Sequence, residues 1–151
     1  LSPACSYLSI ESSRERPGAR PGKGPTRRLG DKATQFDPNL IALLDAAAAK
    51  LRARGRAVQR LRLTGGTCEA TAYLAFGYET AGAAVPLVNY HNGWGAKKAA
   101  AERVRASDVE SCVHLLVEAA KLFPSHGLRG KLRGRLLKLH AQGAPALDQR
   151  R

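Results

Sequence analysis

Three features whose residue types can carry chemistry each follow a stretch that predicts a β-strand. Glu11 comes after the first such stretch, a Gly-Gly-Thr turn at residues 65–67 after the second, and His91 after the third. In open α/β sheets, ligands bind beyond the carboxyl ends of the strands. We therefore expect a carboxylate, a pair of glycines and an imidazole to converge on one edge of a sheet.

Each of these features also has a structural interpretation. A single glutamate such as Glu11 is usually a surface residue, a Gly-Gly pair between strand and helix is usually a tight turn, and a histidine after a strand is usually structural. Imidazole nitrogen and carboxylate oxygen are, however, the ligands that zinc takes in catalytic sites. The shared placement of Glu11 and His91 favours the metal interpretation.

The elements that must position these residues alternate along the chain. One helix should begin where Asp37 precedes Pro38, and a later one where Ser107 and Glu110 form a capping box. Pro86 favours an edge or irregular position for the last strand. The predicted elements are strands at residues 6–10, 58–63 and 83–88 and helices at residues 38–51, 68–76 and 107–123.

This order predicts a three-layer α/β/α fold with a mostly parallel sheet. The helices at residues 38–51 and 107–123 should pack apolar stripes on that sheet. In the second of them the stripe comprises Val109, Cys112, Val113, Leu116, Val117 and Ala120. We expect a domain over residues 1–123 and a basic, weakly ordered tail over residues 124–151, where glycines weaken any helix.

Composition limits the class of protein. The 3 cysteines form no Cys-x-x-Cys pair, which argues against a disulfide scaffold and a thiolate zinc site and favours a reducing, cytoplasmic location. No apolar run is long enough to span a bilayer, so we expect no membrane partner. The chain begins at Leu1 and contains no Met, which predicts that it is a piece of a longer protein.

The formal net charge of +13 fits two kinds of surface. It could bind nucleic acid or anionic membranes, with residues 127–140 as the basic patch. Arginine is instead scattered through every segment, which favours a solvated basic surface and makes nucleic acid an unlikely partner. A basic nucleic-acid-binding module, or a non-catalytic assembly module that keeps the fold, stays open as an alternative.

Several motifs together resemble the end of the catalytic domain of co-catalytic di-zinc aminopeptidases. They are residues 65–70 (Gly-Gly-Thr-Cys-Glu-Ala), Gly77-Tyr78, Gly82 and residues 86–92 (Pro-Leu-Val-Asn-Tyr-His-Asn). Residues 22–25 and the segment from Glu102 to Asp108 are similar to parts of the same family. The family includes tetrahedral and glutamyl aminopeptidases and is related to peptidase T and carboxypeptidase G type enzymes. Here the acid of the Gly-Gly-Thr turn comes one residue later, after Cys68.

The resemblance implies a role for each matching position. His91 matches the last metal ligand, and Glu11 matches a carboxylate ligand of the other metal. The turn that comprises Gly65, Gly66 and Thr67, with Glu69 near its rim, would face the substrate. Asn89 and Asn92 would orient the ligand between them. The implied cofactor is two Zn²⁺ ions per complete site, with Co²⁺ or Mn²⁺ as alternatives, and the implied function is hydrolysis of peptide bonds in a homo-oligomer.

The family's other ligands and its general-base glutamate precede the position of Glu11. No histidine precedes His91, and the ten residues before Glu11 contain no acid. The chain is therefore expected to hold no catalytic residue of its own, to bind zinc poorly by itself and to hydrolyse no aminoacyl substrate.

Overall fold

A mixed β-sheet organises the computed structural model, which describes residues 5–93, 98–123, 134–139 and 141. The sheet order is β1-β4-β2-β3, and β5 also pairs with β4. The β1–β4 and β2–β3 pairs are parallel, whereas β2 and β5 run antiparallel to β4. The elements are β1 (Tyr7–Arg14), β2 (Thr26–Arg28), α1 (Pro38–Ala53), β3 (Gln59–Leu61), α2 (Glu69–Ala75), β4 (Thr80–Val88), the short turn α3 (Tyr90–Gly93), β5 (Arg103–Val104) and α4 (Ala106–Leu122).

Helices cover both faces of this sheet. Arg27 of β2 forms an ion pair with Asp45 of α1. The next residue, Arg28, points to the opposite face, since side chains alternate along a strand. On that face the ring of Tyr7 in β1 lies 5.9 Å from the ring of Tyr73 in α2. The predicted three-layer α/β/α fold is confirmed. Of the strand pairs described, two are parallel and two are antiparallel.

Helix α1 begins and ends where local signals place it. The Asp37 carboxylate accepts hydrogen bonds from the backbone N–H groups of Asn39 (2.8 Å) and Leu40 (3.1 Å). Pro38 occupies the first turn, where its missing N–H costs nothing. Gly55 follows the helix with a φ of 76°, a conformation that glycine adopts without strain. The buried face packs into the core through Leu40, Leu43, Leu44, Ala47, Ala48 and Leu51.

Strand β4 is central, so of the two expectations for Pro86 the edge strand is wrong, whereas the irregular strand fits the interrupted pairing on one side of β4. The Leu87 carbonyl accepts a hydrogen bond from Glu15 on the β1 side, so the nitrogen of Pro86 faces the other side. There β2 pairs with residues 82–84 and β5 with residues 87–88. Pro86 falls in the gap between these two partners, where no strand needs its missing N–H.

The start of α4 differs from its prediction. The helix begins at Ala106, Arg105 occupies the N-cap position, and no side-chain cap forms. The predicted capping box is therefore wrong. Asp108 instead uses its buried carboxylate to accept hydrogen bonds from the backbone N–H groups of Gly22 (2.6 Å) and Gly24 (2.8 Å). This contact ties the first turn of α4 to the Pro/Gly-rich loop after β1.

The buried face of α4 is also rotated from the predicted stripe. Val109, Val113 and Val117 are 41%, 54% and 43% exposed. The buried residues are Asp108, Ser111, Cys112, Leu115, Glu118 and Ala119. Two of the polar members have partners: Asp108 binds the loop, and Glu118 forms an ion pair at 2.9 Å with Arg54, the exposed C-cap residue of α1. These contacts, rather than the valines, set the rotation of the helix.

Strand β2 follows the Pro/Gly-rich loop after β1 and was not expected. It has only three residues, two of them arginines that are 8% and 3% exposed. Buried arginines are rare unless they are paired, and each of these ends on a carboxylate, Arg27 on Asp45 and Arg28 on Glu11. The carboxylates that pair with these arginines lie on other elements, α1 and β1. Hydropathy within the three residues of β2 therefore does not predict the strand.

The predicted tail falls mostly outside the described residues. Within it the structure describes residues 134–139 and 141, and residues 134–139 are helical. Leu136, Leu137 and Leu139 are exposed there. The proposed domain boundary and most of the basic patch at residues 127–140 lie outside the described part of the chain. None of the described helices is long and apolar enough to cross a membrane.

Candidate functional site

His91 lies on a left-handed turn directly after the central strand β4, as the sequence predicts for its position after a strand. Asn89, His91 and Asn92 have φ values of 58°, 54° and 57°. Non-glycine residues adopt this conformation uncommonly, although asparagine and histidine do so more readily than most, and it costs about 1 kcal/mol at each unless the surroundings compensate. Such strain clusters at functional sites. The His91 ring is stacked on Tyr90, with ring centroids 3.9 Å apart.

The turn is fastened to the segment that precedes β5. The backbone N–H of His91 donates a hydrogen bond to Glu102 Oε1 (2.7 Å), and Asn89 Nδ2 donates one to the Ala101 carbonyl (2.8 Å). The Asn92 carbonyl accepts a hydrogen bond from Ala100 (3.0 Å). Asn89 and Asn92 thus hold the backbone around the imidazole, which stays exposed. Their predicted role as orienters of a metal ligand stays a prediction.

Glu11 lies inside β1 rather than after it, because the strand continues to Arg14. The prediction that Glu11 follows a strand is wrong: Ser12 and Ser13 pair in register with Val85 and Pro86 of β4. Glu11 itself pairs with Ala84, four residues before the end of β4. At ~3.3 Å per residue, Glu11 therefore lies about 13 Å along the strand from the edge at which the His91 turn begins.

The Glu11 carboxylate already has a cation beside it. Arg28 Nη1 lies 2.9 Å from Glu11 Oε1, and the side chain of Arg28 is only 3% exposed. The Ser9 hydroxyl donates to the same oxygen (3.2 Å). Burial and a hydrogen bond to Glu11 raise the pKa of the Cys68 thiol to about 11, so that Cys68 stays protonated at neutral pH.

The surroundings of Glu11 and His91 bear on whether these two residues could bind a metal ion. Among the described residues, no group of three or more His, Cys, Asp or Glu side chains lies close enough together to hold a metal ion. In this structure Glu11 Oε1 is engaged by Arg28 and by the Ser9 hydroxyl. His91 is of a suitable residue type and is exposed. The predicted roles of His91 and Glu11 as metal ligands therefore stay predictions.

Asp31 is a structural residue next to the candidate site, and it was not among the predicted residues. It is fully buried. Its carboxylate accepts hydrogen bonds from the backbone N–H groups of Ala33 (2.9 Å), Thr34 (2.8 Å) and Cys68 (3.0 Å) and from the Thr71 hydroxyl. An aspartate three residues before a threonine, between a strand and a helix, is the available signal for such a turn. Asp31 thereby connects the loop before α1 to the start of α2.

The Gly-Gly-Thr turn at residues 65–67 lies beside this anchor. The Gly66 carbonyl accepts a hydrogen bond from Lys32 (3.1 Å). A Cβ built on Gly66 would meet open space, and one on Gly65 would approach Arg16 Nη2 at 3.4 Å. Thr67 and Glu69 are exposed, and Glu69 accepts a hydrogen bond from the hydroxyl of Tyr73 (2.6 Å). A role for this turn in binding substrate stays a prediction.

Acid should weaken the fold through Asp31. Burial alone would raise its pKa, but the hydrogen bonds lower it to about 2, below the ordinary value of 3.8. A depressed folded pKa adds stability above the unfolded pKa, and that stability is lost as the pH falls from about 4 towards 2. We expect Asp31→Asn to lower the free energy of unfolding at pH 7 by about 2 kcal/mol. Urea unfolding at pH 7, 4 and 2.5 measures it.

Asp37→Asn is the matched control, since asparagine caps a helix about as well as aspartate. It should change the free energy of unfolding little at any of these pH values. If Asp31→Asn unfolds at the same urea concentration as the unmodified chain at pH 7, the assigned role of Asp31 is wrong.

Comparisons with known proteins give the fold a context. No protein-family model and no curated protein matches the sequence. Among solved structures, the dodecameric PhTET1-12s is 25% identical with a TM-score of 0.57, over 75% of this chain and 32% of its own. A TET aminopeptidase from a marine sediment archaeon of the Thaumarchaeota is 16% identical with a TM-score of 0.61, over 75% and 32%. The TET1 peptidase of Pyrococcus horikoshii is 23% identical with a TM-score of 0.53, over the same shares.

The chain has the fold of part of a TET aminopeptidase. It spans about a third of the length of the solved chains that it matches. The predicted resemblance to part of an aminopeptidase catalytic domain is thus confirmed at the level of fold.

Proposed function

We propose that this chain is the part of a metal-dependent aminopeptidase that supplies one metal-ligating imidazole, His91. The observation that supports the proposal is the position of His91: it lies on a strained turn directly after the central strand of a fold shared with TET aminopeptidases. Fold alone does not define function. Strain held in place by its surroundings at a zinc-compatible residue is the local evidence.

The residues around His91 position it and leave its ring accessible. Stacking on Tyr90 restricts the rotation of the ring, and the hydrogen bond from its backbone to Glu102 fixes the turn. In a complete site His91 would hold one of the metal ions, and the chemistry that the metal would supply is activation of a water and polarisation of the scissile carbonyl. Glu11, whose Oε1 contacts Arg28, is the carboxylate that the resemblance assigns to the other metal.

The remaining parts of the proposal follow from the resemblance. The missing ligands and the general-base glutamate would come from outside this chain, and the substrate would be a peptide. Zn²⁺ is the proposed metal, with Co²⁺ and Mn²⁺ as alternatives. PhTET1-12s is a dodecamer, and TET1 of Pyrococcus horikoshii can assemble into a tetrahedron or a large octahedral shell. We therefore propose a homo-oligomer for the complete protein.

An assay with and without metal tests this function. In a protein that combines this chain with the rest of the site, hydrolysis of aminoacyl p-nitroanilides should disappear after dialysis against 1,10-phenanthroline. It should return with Zn²⁺ or Co²⁺. The 151-residue chain alone should show no hydrolysis. Hydrolysis that survives removal of the metal, or that the isolated chain performs, would contradict the proposal.

A further inference from the structure

A basic hollow of about 850 Å³ lies at the end of β4, between the loop that follows β1 and strand β5. Its lining includes Arg16, Arg20, Arg103 and Arg105, with Glu15 as the acid among the lining residues. Among the described lining residues, four arginines against one glutamate give a formal charge of +3. We refer to this feature as the arginine hollow.

Most of its guanidinium groups are not neutralised by the protein. Arg16 donates a hydrogen bond to the Thr64 hydroxyl (3.2 Å), which holds its side chain without cancelling its charge. In the described ranges of the chain, ion pairs to carboxylates are made by other arginines: Arg27, Arg28, Arg54 and Arg56. Among these same residues, no carboxylate forms an ion pair with Arg20, Arg103 or Arg105. Close cations without counter-ions repel one another, so an anion between them would be stabilised.

The backbone that carries Arg16 and Arg20 is held in place by hydrogen bonds within the protein. Arg16 and Ala19 exchange a pair of backbone hydrogen bonds (3.1 and 2.9 Å). The Gln59 side chain accepts from the Arg20 N–H (2.8 Å) and donates to the Arg20 carbonyl (3.0 Å). Asp108 holds the end of the same loop. A ligand would therefore order little backbone on binding, which lowers the entropic cost of association.

The other wall of the arginine hollow is formed by β5 and the start of α4. Arg103 and Val104 form β5, which pairs with Val88 and Leu87 of β4. Arg105 is the N-cap residue of the 17-residue helix α4, so the positive end of the helix dipole borders the hollow. Two rigid walls thus present arginines to one space.

We propose that the arginine hollow binds a small anion with two or three linked phosphate groups, such as inorganic triphosphate or the triphosphate of a nucleotide. Guanidinium groups match phosphate oxygens through paired hydrogen bonds. The volume is in the range of small-ligand sites, about 300–1,000 Å³. Among the described residues, no aromatic side chain lines the hollow, whereas surfaces for single-stranded nucleic acid interleave aromatic and basic residues. The inference does not depend on the proposed peptidase activity.

Titration calorimetry of the 151-residue chain with inorganic triphosphate and with ATP tests the site. The double variant Arg103→Ala/Arg105→Ala should weaken triphosphate binding by about tenfold or more, since two charge-assisted contacts are lost. Arg20→Ala should weaken it in the same direction, and Gln59 still holds its backbone. Arg52→Ala/Arg60→Ala removes the same charge from exposed positions outside the hollow and should have little effect. Thermal unfolding of each variant confirms that it is folded.

The two ligands separate the possible sources of phosphate. Equal affinity for triphosphate and ATP shows that the phosphates alone are recognised, and tighter ATP binding shows that the nucleoside also contacts the protein. Either result supports the proposal. It is overturned if neither ligand binds, or if the control double variant weakens binding as much as Arg103→Ala/Arg105→Ala. It is also overturned if a glutamate-rich peptide or a single-stranded RNA binds more tightly than triphosphate at the same salt concentration.

Discussion

Replacing His91 with alanine should lower kcat/KM by more than about 100-fold in a protein in which the rest of the metal site is present. Loss of a group that merely orients a metal ligand costs about 10–100-fold, and His91 is proposed as a ligand itself. The fold should survive, because His91 is exposed. Hydrolysis of aminoacyl p-nitroanilides at several substrate concentrations measures the loss.

His114→Ala is the matched control for this substitution. His114 is also an exposed histidine, but it lies on α4, where its Nε2 is 3.5 Å from Glu110. Its removal should leave the rate unchanged. A loss of similar size in both variants would indicate a general effect on the fold and would count against a role for His91.

The left-handed turn allows the function of His91 to be separated from its cost in stability. His91 has a φ of 54°, which glycine adopts more easily than alanine. His91→Gly should therefore be about 1 kcal/mol more stable than His91→Ala, and both should be equally inactive. Urea unfolding of the two variants measures the difference.

Glu11→Gln should lower the free energy of unfolding by about 2–3 kcal/mol. The substitution leaves the Arg28 guanidinium, 3% exposed, without its counter-ion. Breaking a fully buried pair costs about 3–5 kcal/mol. The Glu11 side chain is 27% exposed, so solvent should reduce that cost. Urea unfolding at pH 7 gives the value.

The double variant Glu11→Gln/Arg28→Met should recover part of this loss, because neither charge is then left alone. The resulting coupling identifies the pair as the cause. Arg56 and Glu110 form an exposed ion pair at 2.8 Å and provide the control cycle, in which little coupling is expected. If coupling between Glu11 and Arg28 is no larger than in this control, the ion pair does not hold Glu11 as the structure indicates.

Local signals in the sequence were sufficient for some elements. Asp37-Pro38 and Gly55 define the ends of α1 because capping depends on neighbouring residues. The position of His91 after β4 followed from a similar argument. Its left-handed turn also has a local signal, since asparagine and glycine favour that conformation and residues 89–93 include both.

The structure differs from the predictions where contacts between residues distant in sequence determine the fold. The rotation of α4 depends on Asp108 binding Gly24, 84 residues away, and on Glu118 binding Arg54, 64 residues away. The length of β1, and hence the position of Glu11, depends on its pairing with β4. Neither alternation nor hydropathy within 10–20 residues contains this information. The ion pair between Glu11 and Arg28 was not predicted for a related reason: it joins β1 and β2 across β4, so it depends on the order of the strands in the sheet.

The metal content of the complete protein tests the central claim most directly. Inductively coupled plasma mass spectrometry of the purified protein should find two metal ions per chain. The His91→Ala variant should hold fewer metal ions. Its hydrolysis, assayed in parallel, should be lost together with the metal. A His91→Ala protein that retains two metal ions per chain and the original rate would contradict the assignment of His91 as a ligand.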